Sequence, residues 1–527
     1  MHNLSIIQRI NASTHQRPSY ARRAGKTLKR VLHLLFAAAK HPRRIPRELY
    51  NRTKYFIYYR IKIGSRKIEL FLPDMFFREM VNGSFNRYDI AVRYLAIENY
   101  FGANDFGFEL YRKMQERRIA SAGFGEQAVS RFKELLQSYQ AGGYDKTSRI
   151  TLDKTLGLVD GSHRIAANIY FHEPMISALS LGVDNPVDYS IDWFIGSGFT
   201  HAEIDTIKDK AAELAESLNA PFECIVWSPA VKFADEIAED LKYYGEVLGV
   251  RHYHYSEAEY ANIVRAVYAI DDIAKWKIEK KIEHMSGSGG NIAVIPLRIS
   301  SPAFRVKAAS GLPLSAYLER VKKAVRTRYK AEIPNYFHDI CFHVGDNYMQ
   351  NNYISHIFNP DINMSGMIGI LSRYEYAFTK TEVPYLPEDF PERIPVGKDA
   401  DIFCSAESLA GLIEKTEAWC RNTPYDVRVI AEESGSRIRM ELYGRLIYQI
   451  DIACEVPELG SSFVSEALAE RKHNGKFYVL SPAYEYIYRL KVYAENNSKG
   501  YHLEYLQKHR EDYDQKLAEK YHVDNIV

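Results

Sequence analysis

Apolar and polar positions along the chain predict alternating helices and strands. The first globular unit is predicted over residues 71–215. Its helices are expected at 90–99, 108–117, 131–139 and 165–171, and its short strands at 149–152 and 156–159. This order places a glycine-containing turn between the second strand and the last helix.

A second unit is predicted over residues 216–370, again with strands and helices in alternation. The strands are expected at 222–227, 247–253, 291–298 and 339–344, and the helices at 232–243, 257–283 and 314–329. Such alternation favours a parallel, doubly wound sheet.

The third unit, residues 371–527, contains a proline-rich stretch at 384–395 that marks a boundary or a long loop. After it the pattern predicts a strand at 399–404, a helix at 406–421, a meander of strands at 427–432, 437–443 and 446–454, and charged helices from 481 to 521. The fold class expected for the chain is a multidomain combination of α/β and α+β units.

Charge separates residues 1–70 from the rest of the chain. They contain 17 Lys or Arg and 2 Asp or Glu, a net charge of +15, whereas the whole chain carries only +2. Within this arm, residues 26–40 predict a basic amphipathic helix, which favours docking on an anionic membrane surface. The alternatives are a nucleic-acid partner, or a packed helix with a solvated basic face.

The five cysteines show no CxxC spacing, and neither a zinc motif nor a disulfide framework is indicated. No apolar run reaches the roughly 18 residues of a membrane span. The chain is therefore expected in the cytoplasm, attached peripherally to the inner face of the membrane through its arm.

A strand, the turn Gly161-Ser162-His163-Arg164 and a helix follow each other in the first unit. Amides at a helix N-terminus and the positive end of the helix dipole attract anions. An arginine grips phosphate oxygens in a bidentate manner, and a histidine donates a hydrogen bond or moves a proton. The motif predicts a phosphate site; the alternative is a tight turn whose arginine pairs with a carboxylate.

Residues 156–171 (LGLVDGSHRIAANIYF) resemble the nucleotide-binding segment of the ParB/sulfiredoxin superfamily. The resemblance implies that Gly161, Ser162, His163 and Arg164 cradle the phosphates of ATP or another NTP. The kinase branch of that superfamily takes a catalytic base from an earlier helix. Glu98 and Asp89 are the candidates here, with His163 as a further catalytic candidate.

Asp399 and Asp401 lie two residues apart in a predicted strand, so their side chains share one face. Asp451, in a neighbouring predicted strand, supplies a third carboxylate; together the three predict a Mg²⁺ site. This pattern resembles the DNA-polymerase-β-like nucleotidyltransferases, and the resemblance implies that these residues ligate the metal. The Gly-Ser turn of that family is replaced here by the proline-rich stretch.

His343, Asp346 and Asn347 follow a predicted strand of the second unit. Polar groups at a strand end often line α/β active sites, so a second phosphate or sugar site is one prediction, and a polar turn is the other.

Together these features predict an NTP-dependent phosphotransferase, kinase-like and with potential nucleotidyltransferase activity. Its acceptor is expected to be a sugar or polyol hydroxyl of a phospho-sugar or glycan in surface-polysaccharide biosynthesis. The alternative is a nucleotide-gated, ParB-like DNA-binding or scaffold protein without turnover. DNA is not the expected partner, because the body of the chain is acidic and no helix-turn-helix pattern is evident.

Overall fold

The computed structural model describes residues 65–74, 76, 87–119, 123–145, 147–153, 156–173, 175–183, 187–271, 273–299, 302–306, 312–360, 365–390, 393–420, 423–432, 434–460, 462–495 and 499–525. Most of the basic arm, with its predicted helix at 26–40 and its membrane contact, lies outside these residues.

The first unit contains a four-stranded sheet in the order β1-β4-β2-β3. Its strands are β1 (Ser65–Phe71), β2 (Ile150–Leu152), β3 (Leu158–Asp160) and β4 (Met175–Leu181). Strand β4 is parallel to β2, and the other two pairings are antiparallel. Residues 65–70, the end of the predicted arm, thus belong to the edge strand of this sheet.

Six helices accompany this sheet among the described residues between 87 and 218. They are α1 (Asp89–Tyr100), α2 (Gly107–Arg118), α3 (Phe124–Gly142), α4 (Ser162–Tyr170), α5 (Ile191–Gly196) and α6 (His201–Leu218). The helices and strands predicted between 90 and 171 are confirmed within a few residues, except that α3 begins earlier. Helix α4 starts directly after β3, as the turn motif requires.

The second unit has a sheet in the order β11-β5-β8-β6, with β7 also paired to β8. The strands are β5 (Phe222–Val226), β6 (Glu246–Val247), β7 (Arg251–His254), β8 (Asn291–Arg298) and β11 (Phe342–His343); a separate hairpin is formed by β9 (Phe304–Val306) and β10 (Pro313–Ser315). The helices are α7 (Ala234–Lys242), α8 (Glu257–Ala269), α9 (Lys275–Met285), α10 (Ala316–Tyr329) and α11 (Tyr348–Phe358).

The predicted parallel, doubly wound sheet is wrong for this unit, because every pairing in it is antiparallel. Strands β5 and β8 are neighbours in the sheet but are separated along the chain by one 3-10 helix, three α-helices and two short strands. No single crossover helix joins them, so the rule that makes strand–helix–strand units parallel does not apply.

The third unit has a seven-stranded mixed sheet in the order β14-β15-β16-β13-β12-β18-β17. The strands are β12 (Tyr376–Thr379), β13 (Lys398–Cys404), β14 (Asp426–Glu432), β15 (Gly435–Leu442), β16 (Arg445–Ala453), β17 (Lys472–His473) and β18 (Tyr478–Val479). The helices are α12 (Ser365–Leu371), α13 (Ala406–Cys420), α14 (Phe463–Ala469), α15 (Pro482–Glu495), α16 (Gly500–Lys508) and α17 (Gln515–Lys520). The predicted meander and helical C-terminal segment are confirmed.

The chain is thus a mixed α/β protein with several sheets, as its pattern predicts. Among the described helices, none combines the length and the apolar character that a membrane crossing requires.

Candidate functional sites

The turn at Gly161 joins β3 to α4 with a backbone that only glycine readily adopts. Gly161 has φ +116 and is the N-cap of α4, and no side chain caps this helix end. The first backbone amide of this helix that donates to a carbonyl one turn earlier is that of Ile165, whose nitrogen lies 3.0 Å from the Gly161 carbonyl oxygen. The amides of Ser162, His163 and Arg164 precede it and have no carbonyl one turn earlier, which leaves them available to an anion.

His163 is held against Tyr111 of α2. Its Nε2 lies 2.7 Å from the Tyr111 hydroxyl oxygen. Burial, together with Arg93, Arg118 and Arg164, holds the pKa of His163 well below its ordinary value. The imidazole is therefore neutral near pH 7 and serves as a hydrogen-bonding group there.

Arginines from three helices surround this pair. Arg118 ends α2, Arg131 lies in α3, and both are exposed, while the Arg164 side chain of α4 is 24% exposed. Burial raises the pKa of Tyr111, and the nearby positive charges of Arg93, Arg118 and Arg131 oppose that rise. The turn therefore lies in a positive field that favours a phosphate.

The pairing of Arg164 with a carboxylate is also present. Arg164 lies 3.7 Å from Asp160, whose side chain is 59% exposed, and it donates to the Arg149 carbonyl oxygen. An exposed pair of this kind contributes little stability, so a phosphate can compete with Asp160 for the guanidinium.

Asp89 lies beside the turn in a buried network. The Arg87 guanidinium donates to both of its carboxylate oxygens, at 2.8 and 3.0 Å, and Arg93 donates to Asp89 Oδ2 at 2.8 Å. Arg87 also donates to Ser162 Oγ at 2.6 Å. Burial raises the pKa of Asp89, but the two arginines lower it further, so that it ends below its ordinary value. Asp89 is therefore better suited to position Arg87 against Ser162 than to act as a proton acceptor.

Glu98 lies at the opposite end of α1 from the turn. It lies nine positions after Asp89 in the helix, a distance of about 13.5 Å along the axis. Glu98 pairs with Lys210 of α6 at 2.8 Å, and burial raises its pKa. The structure therefore brings Asp89, but not Glu98, to the phosphate-binding turn.

Asp399, Asp401 and Asp451 come together on one face of the C-terminal sheet. Strands β13 and β16 are parallel, with Asp401 opposite Asp451 and Asp399 opposite Gln449. Burial raises the pKa of Asp401, and among the charges around it Asp399 and Asp451 add to that rise while Lys380 opposes it. The three side chains therefore share one face of the sheet, as their spacing predicts.

Cations of the chain hold two of these carboxylates. Lys380 Nζ lies 2.7 Å from Asp401 Oδ1, and Arg437 Nε lies 2.6 Å from Asp451 Oδ1. The Tyr385 hydroxyl donates to Asp399 at 3.2 Å. Across the described part of the chain, no three His, Cys, Asp or Glu side chains are placed to hold a metal ion together.

As arranged, Asp399, Asp401 and Asp451 do not fit a pair of Mg²⁺ ions, because Lys380 already holds one oxygen of Asp401 and Arg437 holds one oxygen of Asp451. The Lys380 ammonium and the Arg437 guanidinium offset the negative charge of the carboxylates, as bound metal cations would.

Replacing Lys380 with methionine should therefore create affinity for a divalent cation. The three carboxylates would keep one internal cation, and removing a unit charge about 4 Å away changes cation binding by at least about tenfold. Mn²⁺ titration followed by electron paramagnetic resonance measures this, with the double variant Lys380→Met/Arg437→Met binding most tightly.

Arg428→Met is the matched control. Arg428 pairs with Glu441 at 3.4 Å on the same sheet, outside the group formed by Asp399, Asp401 and Asp451. If the unaltered protein binds Mn²⁺ with the same affinity as Lys380→Met, then metal ions displace Lys380 and Arg437 from the carboxylates.

The predicted second site divides into residues with different roles. Asn347 caps α11: its Oδ1 accepts from the Gln350 amide at 3.0 Å, and its Nδ2 donates to the Pro313 carbonyl oxygen at 2.9 Å. Asp346 pairs with Lys322. His343 is 4% exposed, and its Nε2 has no hydrogen-bond partner among the described residues. Asn347 is thus part of a structural turn, whereas His343 and Asp346 border a cluster of lysines.

No protein-family model, curated protein or solved structure matches this chain. The two family resemblances therefore rest on the motif residues and on the geometry around them.

Proposed function

We propose that the chain binds the phosphates of ATP or another NTP at the Gly161 turn and transfers a phosphoryl group to a hydroxyl of a sugar or polyol. The observation that carries this proposal is the combination of three available amides with Arg118, Arg131 and Arg164 around a neutral His163. These groups neutralise phosphate oxygens without occupying the turn themselves.

In the proposed reaction the acceptor hydroxyl oxygen forms a bond to the γ-phosphorus, and the bond from that phosphorus to the β–γ bridging oxygen breaks. The hydroxyl proton passes to a carboxylate or to water. Phosphoryl transfer depends mainly on positioning and charge neutralisation, which the arginines and amides supply. The exposed Asp160 is the carboxylate nearest the turn in sequence; Asp89 is held by Arg87 and Arg93.

For the third unit we propose that it holds the substrate rather than transferring nucleotides. The ion pairs of Lys380 with Asp401 and of Arg437 with Asp451 favour this role over two-metal chemistry. Mg²⁺ in the reaction would then be bound together with the NTP. The assignment to surface-polysaccharide biosynthesis rests on the combination of the two resemblances.

Replacing Arg118 or Arg164 with alanine should weaken ATP binding by about ten- to a hundredfold, because each change removes a charge-assisted contact to phosphate. Both side chains reach solvent, so the fold should persist. Isothermal titration calorimetry of the purified variants gives the affinities.

Arg117→Ala provides the control, since Arg117 is an exposed neighbour of Arg118 on the same helix and is not among the arginines that lower the pKa of His163. If ATP affinity is the same in the Arg118, Arg164 and Arg117 variants, the turn is not the nucleotide site.

A further inference from the structure

A cleft lies in the second unit, between α10 and the segment that follows it. It has a volume of about 480 Å³, within the range of roughly 300–1,000 Å³ typical of small-molecule sites. Glu319, Lys322, Lys323 and Arg326 lie on one face of α10, since 319, 322 and 326, and 319 and 323, are three or four residues apart; Lys330 follows directly after the end of the helix. Tyr336 and Asp339 form the other wall.

The charge of this cleft is predominantly positive. Four of its lining side chains are Lys or Arg and two are carboxylates. Lys322 and Arg326 already have partners, Asp346 and Asp339. Lys323 and Lys330 are exposed, and neither forms an ion pair within the described residues. These two lysines are therefore available to an anionic ligand.

The wall opposite α10 is held in a strained conformation. Asn335, His338 and Asp339 have φ values of +54, +38 and +63, three left-handed non-glycine residues within five positions. Backbone strain of this kind persists only where the surroundings enforce it, and it concentrates at ligand clamps and active sites. The strain places Asp339 against Arg326 at 3.1 Å and within reach of the Tyr336 hydroxyl, also at 3.1 Å.

Further polar groups lie next to residues that border the cleft, and two of them, Lys281 and His343, are buried. Lys281 is 4% exposed and donates to the carbonyl oxygen of His338, which fixes the strained segment. His343 Nε2 lies 4.0 Å from Asp271 Oδ2 and is otherwise without a partner among the described residues. Burial and Asp346 raise the pKa of Asp271 to about 7, while burial lowers the pKa of Lys281 to about 8. Such shifted groups near a cleft are typical of functional sites.

We propose that this cleft binds a phosphorylated sugar or polyol. Lys323 and Lys330 bind its phosphate, with Arg326 between them in the chain. The carboxylates of Asp339 and Glu319 accept hydrogen bonds from its hydroxyls, and the Tyr336 ring packs against its carbon skeleton. Only the role of this ligand as the phosphoryl acceptor rests on the proposed function; the binding site itself does not.

A lysine ammonium binds phosphate as a compact positive charge. The carboxylates repel phosphate and accept hydrogen bonds from hydroxyls, so they discriminate against ligands that carry phosphates alone. A free NTP, with several phosphates and few hydroxyls, is therefore expected to prefer the arginine-rich turn. A sugar monophosphate, with one phosphate and many hydroxyls, is expected to prefer the cleft.

The test is calorimetric titration of the full chain with glucose 1-phosphate, with glucose and inorganic phosphate as separate titrants. Glucose 1-phosphate should bind more tightly than either. Lys323→Ala and Lys330→Ala should each weaken it about tenfold, and the double variant about a hundredfold. Arg320→Ala is the control, because Arg320 is an exposed cation on the same helix that does not line the cleft.

Unchanged affinity in the double variant, or inorganic phosphate binding as tightly as glucose 1-phosphate, overturns the proposal. Loss of binding in Arg118→Ala but not in the lysine variants would place the ligand at the turn and overturn it as well. Titration of the same variants with ATP distinguishes this proposal from the proposed function. If ATP binding is lost only in the lysine variants, the proposed function is wrong, because ATP would then bind at the cleft and not at the Gly161 turn. Thermal unfolding of each variant verifies that the fold is retained.

Discussion

Replacing Asp89 with alanine should destabilise the first unit by about 3–5 kcal/mol, the cost of removing one partner from a buried ion pair. Asp89 is fully buried between Arg87 and Arg93, both 2% exposed. Without it, the buried guanidinium groups of Arg87 and Arg93 lose the carboxylate that both of them contact. Arg87 would also lose the partner that directs it to Ser162, so the turn should loosen with the core.

Hydrogen exchange measures this effect better than a global melt, because a chain with several units does not unfold in one step. Faster exchange is expected in α1 and α4, with little change in the third unit. Asp160→Ala is the control, since that carboxylate is 59% exposed and its pair with Arg164 contributes little. Intact protection together with lost phosphoryl transfer in Asp89→Ala would instead make Asp89 the catalytic base.

The same network predicts how acid affects this unit. The pKa of Asp89 lies below its ordinary value of 3.8, so its contribution to stability is present above that value. The contribution is lost as the pH falls through the folded-state pKa. Asp89→Ala should therefore remove an acid-sensitive part of the stability, and the unaltered protein and the variant should converge in strongly acidic solution.

Local periodicity was sufficient to predict most helices and strands, and the two-residue spacing of Asp399 and Asp401 was sufficient to place them on one face. The partner of Asp401 was not predictable in this way. Lys380 lies 21 positions earlier, at the end of β12, and it reaches Asp401 only because β12 pairs with β13 in a particular register. Such pairings depend on sheet order, which the hydrophobic pattern does not specify.

The arginines at the turn illustrate the same limit. The Gly-Ser-His-Arg sequence identified the turn itself, because the glycine, the helix start and the arginine are adjacent in the chain. Arg118 and Arg131 come from α2 and α3, and Tyr111 reaches His163 from 52 residues away. In the sequence each is an ordinary residue of an amphipathic helix. Only the packing of α2 and α3 on α4 gives them a shared role.

Replacing Gly161 with alanine should be the most damaging single change at the turn itself. An alanine Cβ there would lie 2.4 Å from Ile150 Cγ2 and 2.8 Å from its Cβ, closer than carbon atoms approach. The positive φ adds a strain of about 1–3 kcal/mol, and overpacking against Ile150 adds about 1–3 kcal/mol. The turn should shift away from β2, and the three available amides should no longer converge on one phosphate.

Gly102→Ala separates the effect of backbone strain from the effect of overpacking against Ile150. Gly102 also has a positive φ, +82, but a Cβ there meets no atom within 4 Å, so that variant carries only the backbone strain. Hydrogen exchange in α4 and calorimetric titration with ATP should show a larger loss of protection in Gly161→Ala than in Gly102→Ala, and a loss of ATP affinity only in the former. Equal effects on exchange would mean that Ile150 yields to the methyl group. Full ATP affinity in Gly161→Ala would mean that the amides of Ser162, His163 and Arg164 do not hold the phosphates.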